Sequence, residues 1–129
     1  MNRISNRIKT GTVGELLVQI RLLQFGVQAA PPIKNSGNDL IAVNGREFRA
    51  VSVRTTTTGT FCKPPDERLY HVLAVVELAG DERQLFLDRS RIFLIEPPQV
   101  RDASTDTSRL AGFEISRERV EALFGALQV

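Results

Sequence analysis

Asp39 heads an apolar run, Leu40-Ile41-Ala42-Val43. The next β-prone run, Ala50-Val51-Ser52-Val53-Arg54, carries a hydroxyl and a guanidinium among its valines. Glu15 lies upstream, on a stretch of helical pattern. An acid at the start of a strand, a cation on the partner strand and a second acid on a preceding helix suit one kind of chemistry. Oxygen donors hold a hard divalent cation, and phosphodiester hydrolysis uses such a cation to activate water and to neutralise the transition state. A cation along the partner strand then holds the water or the scissile phosphate.

The element that must bring these groups together is a hairpin. Asn44-Gly45 between two β-prone runs is a strong signal for a two-residue turn. That turn sets Val43 opposite Arg46 and Asp39 opposite Ala50. Cross-strand neighbours and alternate residues share a face. Asp39, Ile41 and Val43 therefore lie with Ala50, Ser52 and Arg54, while Leu40, Ala42, Val51 and Val53 point the other way. Glu47-Phe48-Arg49 also has an acid and a base two apart, but the same alternation puts both on the face opposite Asp39.

Around the hairpin, residues 12 to 25 (TVGELLVQIRLLQF) have a helical pattern. Thr12 and Glu15 are spaced as a capping box. Leu16, Ile20 and Leu23, with Leu17 beside them, form a broad apolar face, and Gly26 is a stop signal. Residues 27 to 30 form a short strand ended by Pro31-Pro32, and residues 33 to 37 a polar loop. Residues 55 to 68 have no period and two prolines, which predicts a mobile loop. A buried strand is expected from about 69 to 78, then a turn at Gly80-Asp81-Glu82, then two strands, RQLFLD and RIFLIE. Pro97-Pro98 should end the last of these before the polar loop RDASTDTSR. Ser116 caps a closing helix whose apolar stripe is Val120, Leu123, Phe124 and Leu127. The order predicts one α/β domain, a central mixed sheet flanked by an N-terminal and a C-terminal helix.

Composition narrows the setting. A chain of 129 residues, 42% hydrophobic and 25% charged, is long enough for one core. No apolar run approaches the ~20 residues that span a bilayer, so no membrane is expected. The basic N-terminus has no apolar stretch directly behind it, and the single cysteine, Cys62, excludes an internal disulfide. Both features predict a cytoplasmic protein. The net charge of +2 does not itself announce nucleic acid. Fourteen of the 17 basic residues are arginine, which suits phosphate contacts but also follows from a bias in genome composition.

From Gly11 to Thr55 the chain resembles the PD-(D/E)XK nuclease superfamily, which includes Holliday junction resolvases and restriction enzymes. Gly14-Glu15 matches the "GE" of its first helix, and Gly37-Asn38-Asp39-Leu40-Ile41-Ala42 matches its metal-binding strand. Ser52 and Arg54 stand 13 and 15 residues after Asp39, at the positions of the acid or glutamine and of the lysine. The resemblance implies a restriction endonuclease-like core that hydrolyses DNA with Mg²⁺ or Mn²⁺. Asp39, Glu15 and the Val53 carbonyl would hold the metal, Arg54 would clamp phosphate, and Ser52 would offer a hydroxyl to water or phosphate. It also implies a homodimer, for which residues 69–78 and 84–95 are candidate contacts. Two departures accompany it. Serine removes a formal negative charge, and arginine, unlike a lysine of depressed pKa, is not a base.

Each residue also has a plainer reading. Glu15 alone is the partner of Thr12 in a cap; Asp39 alone ends the preceding loop as an Asx-type residue; and Arg54 alone pairs with Asp39 on an inactive scaffold. Arg3, Arg7 and Lys9 form either a basic arm that binds phosphate or a frayed terminus, and Lys34 is a further candidate contact to nucleic acid. Two functions therefore stand: a metal-dependent endonuclease, and a catalytically inactive nuclease fold that binds DNA or a protein. His71 and Cys62 read as a strand-edge residue and a loop thiol, with no metal cluster between them.

Overall fold

A computed structural model of the chain describes residues 3–33 and 38–128. Helix α1 runs from Asn6 to Gln24 and begins six residues earlier than the sequence pattern suggests. Ser5 is its N-cap, its hydroxyl accepting from Ile8 N–H at 3.2 Å. The proposed Thr12–Glu15 capping box therefore does not exist, because both residues lie inside the helix. Residues 6–10 are likewise the first turns of α1 and not part of an arm. The stop at Gly26 is as read. Gly26 has φ +83°, and Gly26 N–H and Val27 N–H close on Leu23 O and Leu22 O in a Schellman pattern.

The helix is rotated relative to expectation. Leu17, Val18 and Leu22 face the core, whereas Leu16, Ile20 and Leu23 are 50–60% exposed. Residues 16–23 are apolar on nearly every side, so their period selects no face. Gly14 selects it. A Cβ there would overlap the side chain of Thr55, so the glycine must turn inward for helix and sheet to meet.

Five strands form one sheet in chain order: β1 Gln28–Ala30, β2 Leu40–Asn44, β3 Glu47–Thr56, β4 Val72–Gly80 and β5 Leu85–Ile95. Neighbours are antiparallel except β3 and β4, which are parallel and joined by residues 57–71. The β2–β3 register differs by two residues from the sequence reading. Asn44 pairs with Glu47 and Ile41 with Ala50, so the turn residues are Gly45 and Arg46. Gly45 alone has a positive φ, +61°, as a type II′ turn requires at its first central position. A shift of two leaves the faces unchanged.

RQLFLD and RIFLIE are one strand, not two. The Ser90 hydroxyl accepts from Ala79 N–H and donates to Phe86 O, filling the irregularity in the β4–β5 ladder at Glu77–Ala79. The prolines after β5 open helix α2, Pro97–Asp102, where the missing N–H groups are not needed. Helix α3, Arg117–Phe124, has the expected Ser116 cap. Strand β4 is hydrogen-bonded on both edges and offers none for association.

One hydrophobic cluster fills the space between the sheet and α1 and α3, with Leu22, Leu40, Val51, Leu94 and Phe124 at its centre. A second, around Leu73, Val75, Phe93 and Leu110, packs loops and α2 on the opposite face of β4 and β5. Among the described residues no helix is long and apolar enough to cross a membrane.

Candidate active site

Strand β3 outruns β2. Beyond Leu40 its inner edge has no strand partner, and Asp39 closes that gap. Asp39 N–H donates to Val51 O at 3.0 Å, and its carboxylate Oδ2 accepts from Val53 N–H at 2.7 Å. The carbonyl of Val53 leaves the strand on the same edge as its N–H, so it opens beside this carboxylate. Gly14 brings α1 against Thr55, which sets Glu15, one residue on, at the same strand end.

Glu15, Asp39, Val53 and Arg54 thus line one cleft of about 580 Å³, with Arg7 and Thr10 of α1 on one wall and Thr60, Phe61 and Cys62 on the other. Ser52 is buried beneath, on the face of β3 that carries Arg54, and borders a smaller adjoining cavity with Asp39 and Arg54. Burial raises the pKa of Glu15, and the negative charge of Asp39 raises it further. Two carboxylates from separate elements therefore face each other closely enough to repel. Arg54 Nε is buried with no hydrogen-bond partner.

The donor set suits a hard divalent cation. Two carboxylates and a carbonyl are oxygen ligands, and a cation between Glu15 and Asp39 would relieve their repulsion. Among the described residues no group of three or more His, Cys, Asp or Glu is placed to hold a metal. Protein side chains therefore supply two carboxylates at most, with water or substrate oxygens left to complete the shell.

The other basic residues separate. Arg7 reaches the cleft, whereas Lys9 donates to Glu82 O in the β4–β5 turn and does not line it. Arg3 precedes the helix and is exposed, and Lys34 lies outside the described residues. His71 is at a strand edge, its Nδ1 accepting from Ala50 N–H at 2.9 Å. Thr10, Thr60 and Cys62 carry no site signal in the sequence. Their place depends on the helix starting at Asn6 and on how residues 57–71 fold back, and neither shows as a local period.

No protein-family profile matches the sequence, and no curated protein matches it. Among solved structures the fold is similar to that of a bacterial homing endonuclease, I-Ssp6803I, with a TM-score of 0.54 at 12% identity, over 80% of this chain and 73% of that one. The likeness is one of fold: a nuclease-like α/β domain, a mixed sheet with a helix at each end.

Proposed function

We propose that this chain is a metal-dependent nuclease of the PD-(D/E)XK kind that cuts DNA with a reduced active site. The observation that carries the reading is the meeting of Glu15 and Asp39, from α1 and the head of β2, in a cleft that also holds Arg54. Mg²⁺ or Mn²⁺ held by the two carboxylates and the Val53 carbonyl would supply an activated water and neutralise charge on the phosphate. The Val53 N–H orients the Asp39 carboxylate. Glu15, on the opposite wall, would be the second carboxylate on the metal, directly or through a water. Arg54, which lines the cleft, would donate to a phosphate oxygen and stabilise developing charge. Ser52 adds a hydroxyl under the same phosphate, and Arg7 adds a second cation on the cleft wall.

A second reading, binding of DNA without cleavage, is favoured by one feature: Ser52 stands where a third oxygen-rich acid would complete the metal site. The deciding experiment is cleavage of supercoiled, single-stranded and four-way-junction DNA in Mg²⁺ and in Mn²⁺, beside an Asp39→Ala protein. The native protein should cut, and the variant should lose at least the roughly 100-fold that changing even a group outside the ligand set can cost. Binding by both proteins with cleavage by neither would sink the enzyme reading in favour of the second.

A further inference from the structure

We propose that the smaller cavity beside Asp39 and Arg54 is a pocket for one unstacked nucleobase, so that the substrate carries an unpaired nucleotide next to the scissile phosphate. This rests on the reading of the same site as one that takes nucleic acid.

Asp39 and Arg54 line two cavities, the cleft of about 580 Å³ and a second of about 230 Å³. The residues that divide them belong to the β3–β4 crossover, which passes over the end of β3. Thr60, Phe61 and Cys62 wall the larger cavity, and Pro64, Pro65, Asp66 and Leu69 the smaller. The crossover is anchored along its length. Phe61 N–H donates to Thr105 O, Lys63 Nζ donates to Arg101 O, and Glu67 pairs with Arg101 at 3.3 Å. Both cavities are present in the chain without a ligand.

Their linings differ in kind. The larger is lined by Arg7, Arg54, Thr10, Thr55 and Thr60 beside the two carboxylates, residue types that contact phosphate and sugar directly or through a metal. The smaller presents two prolines and Leu69, a large apolar side chain left 42% exposed, with the Asp66 carboxylate among them. Asp66 is gripped by Arg68 through Nε and Nη2, both at 3.1 Å. Held this way, the carboxylate can still accept from the exocyclic amino group of a base through its remaining lone pairs. Pockets for drug-sized ligands start at roughly 300 Å³, so this one takes a single flat ring system and excludes a base pair. A phosphodiester between Asp39 and Arg54 has one nucleotide on either side. The base that enters the smaller pocket must leave its stack, which costs least when it is already unpaired.

The test uses the full chain and oligonucleotides carrying 2-aminopurine, which brightens when it leaves a base stack. Binding is measured in chelator, so that no cleavage is needed, to a fully paired duplex and to the same duplex with the probe unpaired. The unpaired probe should brighten and bind at least tenfold more tightly. Leu69→Trp, a change at an exposed position that fills the pocket, should abolish that preference without lowering affinity for the paired duplex or the melting temperature. Leu69→Ala, which enlarges the pocket, should keep it. Equal binding of both duplexes, or a preference that Leu69→Trp leaves intact, overturns the proposal. Cleavage of DNA without the preference removes the base pocket and keeps the nuclease. The preference without cleavage keeps the pocket and removes the nuclease.

Discussion

Leu40 and Asp39 are consecutive residues, and so are Val51 and Ser52 on the strand opposite. Leu40 and Val51 face α1 and α3 and are fully buried in the larger hydrophobic cluster. Asp39 and Ser52 face the other way, toward the two cavities and Arg54. One face of the hairpin is closed by helices that bury apolar surface. The other carries Ile41, Val43 and Phe48 near the turn and, at the Asp39 end, the polar groups that border the two cavities. A single alternation of side chains thus serves both stability and chemistry, and the two can be separated by mutating neighbours.

The sharpest separation pairs Leu40→Ala with Asp39→Ala. Truncating a fully buried leucine costs about 2–5 kcal/mol, so Leu40→Ala should lower denaturation midpoints strongly and leave the cleavage rate per folded molecule intact. Asp39→Ala should do the reverse. It removes the hydrogen bond from Val53 N–H, an interaction of about 1 kcal/mol, while relieving the repulsion on Glu15 and removing most of the cleavage. If both variants lost stability equally, the division between the faces would fail.

A smaller effect tests the point where the two faces meet. Gly14 lies on the covered side yet positions Glu15 on the open one. Alanine in a helix interior normally gains about 1 kcal/mol over glycine. Here its Cβ would overlap Thr55, a β-branched side chain with no flexible end to move aside. Gly14→Ala should therefore destabilise, by about 1–3 kcal/mol as overpacking does, and should weaken cleavage by displacing Glu15. Adding Thr55→Ala should restore most of both losses. Additive effects in the double variant would show that the two residues do not meet.

The hairpin's two faces were legible in the sequence because alternation survives a register shift of two residues. The register itself was not, and Asn44 shows why. Its side chain donates to Phe124 O, Gly125 O and Ala126 O at the end of α3, 80 or more residues away. That tie keeps Asn44 paired in β2 and moves the turn to Gly45-Arg46, a competition no local turn preference contains. The rotation of α1 was hidden for a different reason. Its apolar residues surround the helix, and only the approach to Thr55 decides which side faces in. From the sequence alone Glu15 is ambiguous, because Thr12 has the spacing of a cap for it. Ser5 resolves this, because a helix that starts at Asn6 has no orphan N–H at position 12 for a capping box to satisfy. The crossover carried no period at all, since its anchors are Thr105 and Arg101, distant in the chain.

The finest test concerns the repulsion between the two carboxylates. The pKa of Glu15 is raised above its ordinary value of 4.5, by burial first and by Asp39 second. As pH rises from below that value, the unfolded chain releases this proton before the folded chain does. Stability therefore falls through the window between the ordinary and the folded pKa and is level above it. Glu15→Gln has no such proton to lose, so it should match the native protein in acid and exceed it at neutral pH, in chelator. Mg²⁺ or Mn²⁺ should then reverse the order at neutral pH, because a cation that binds only the folded, ionised pair stabilises the native protein by mass action and finds half of that pair missing in the variant. Thermal melts across the acid-to-neutral range, with and without metal, read both effects without any cleavage assay. A gap between the two proteins that does not change with pH would mean that neither burial nor Asp39 raises the pKa of Glu15 in the folded chain. A native melting temperature indifferent to metal would mean that the open face of the hairpin does not hold a cation by itself.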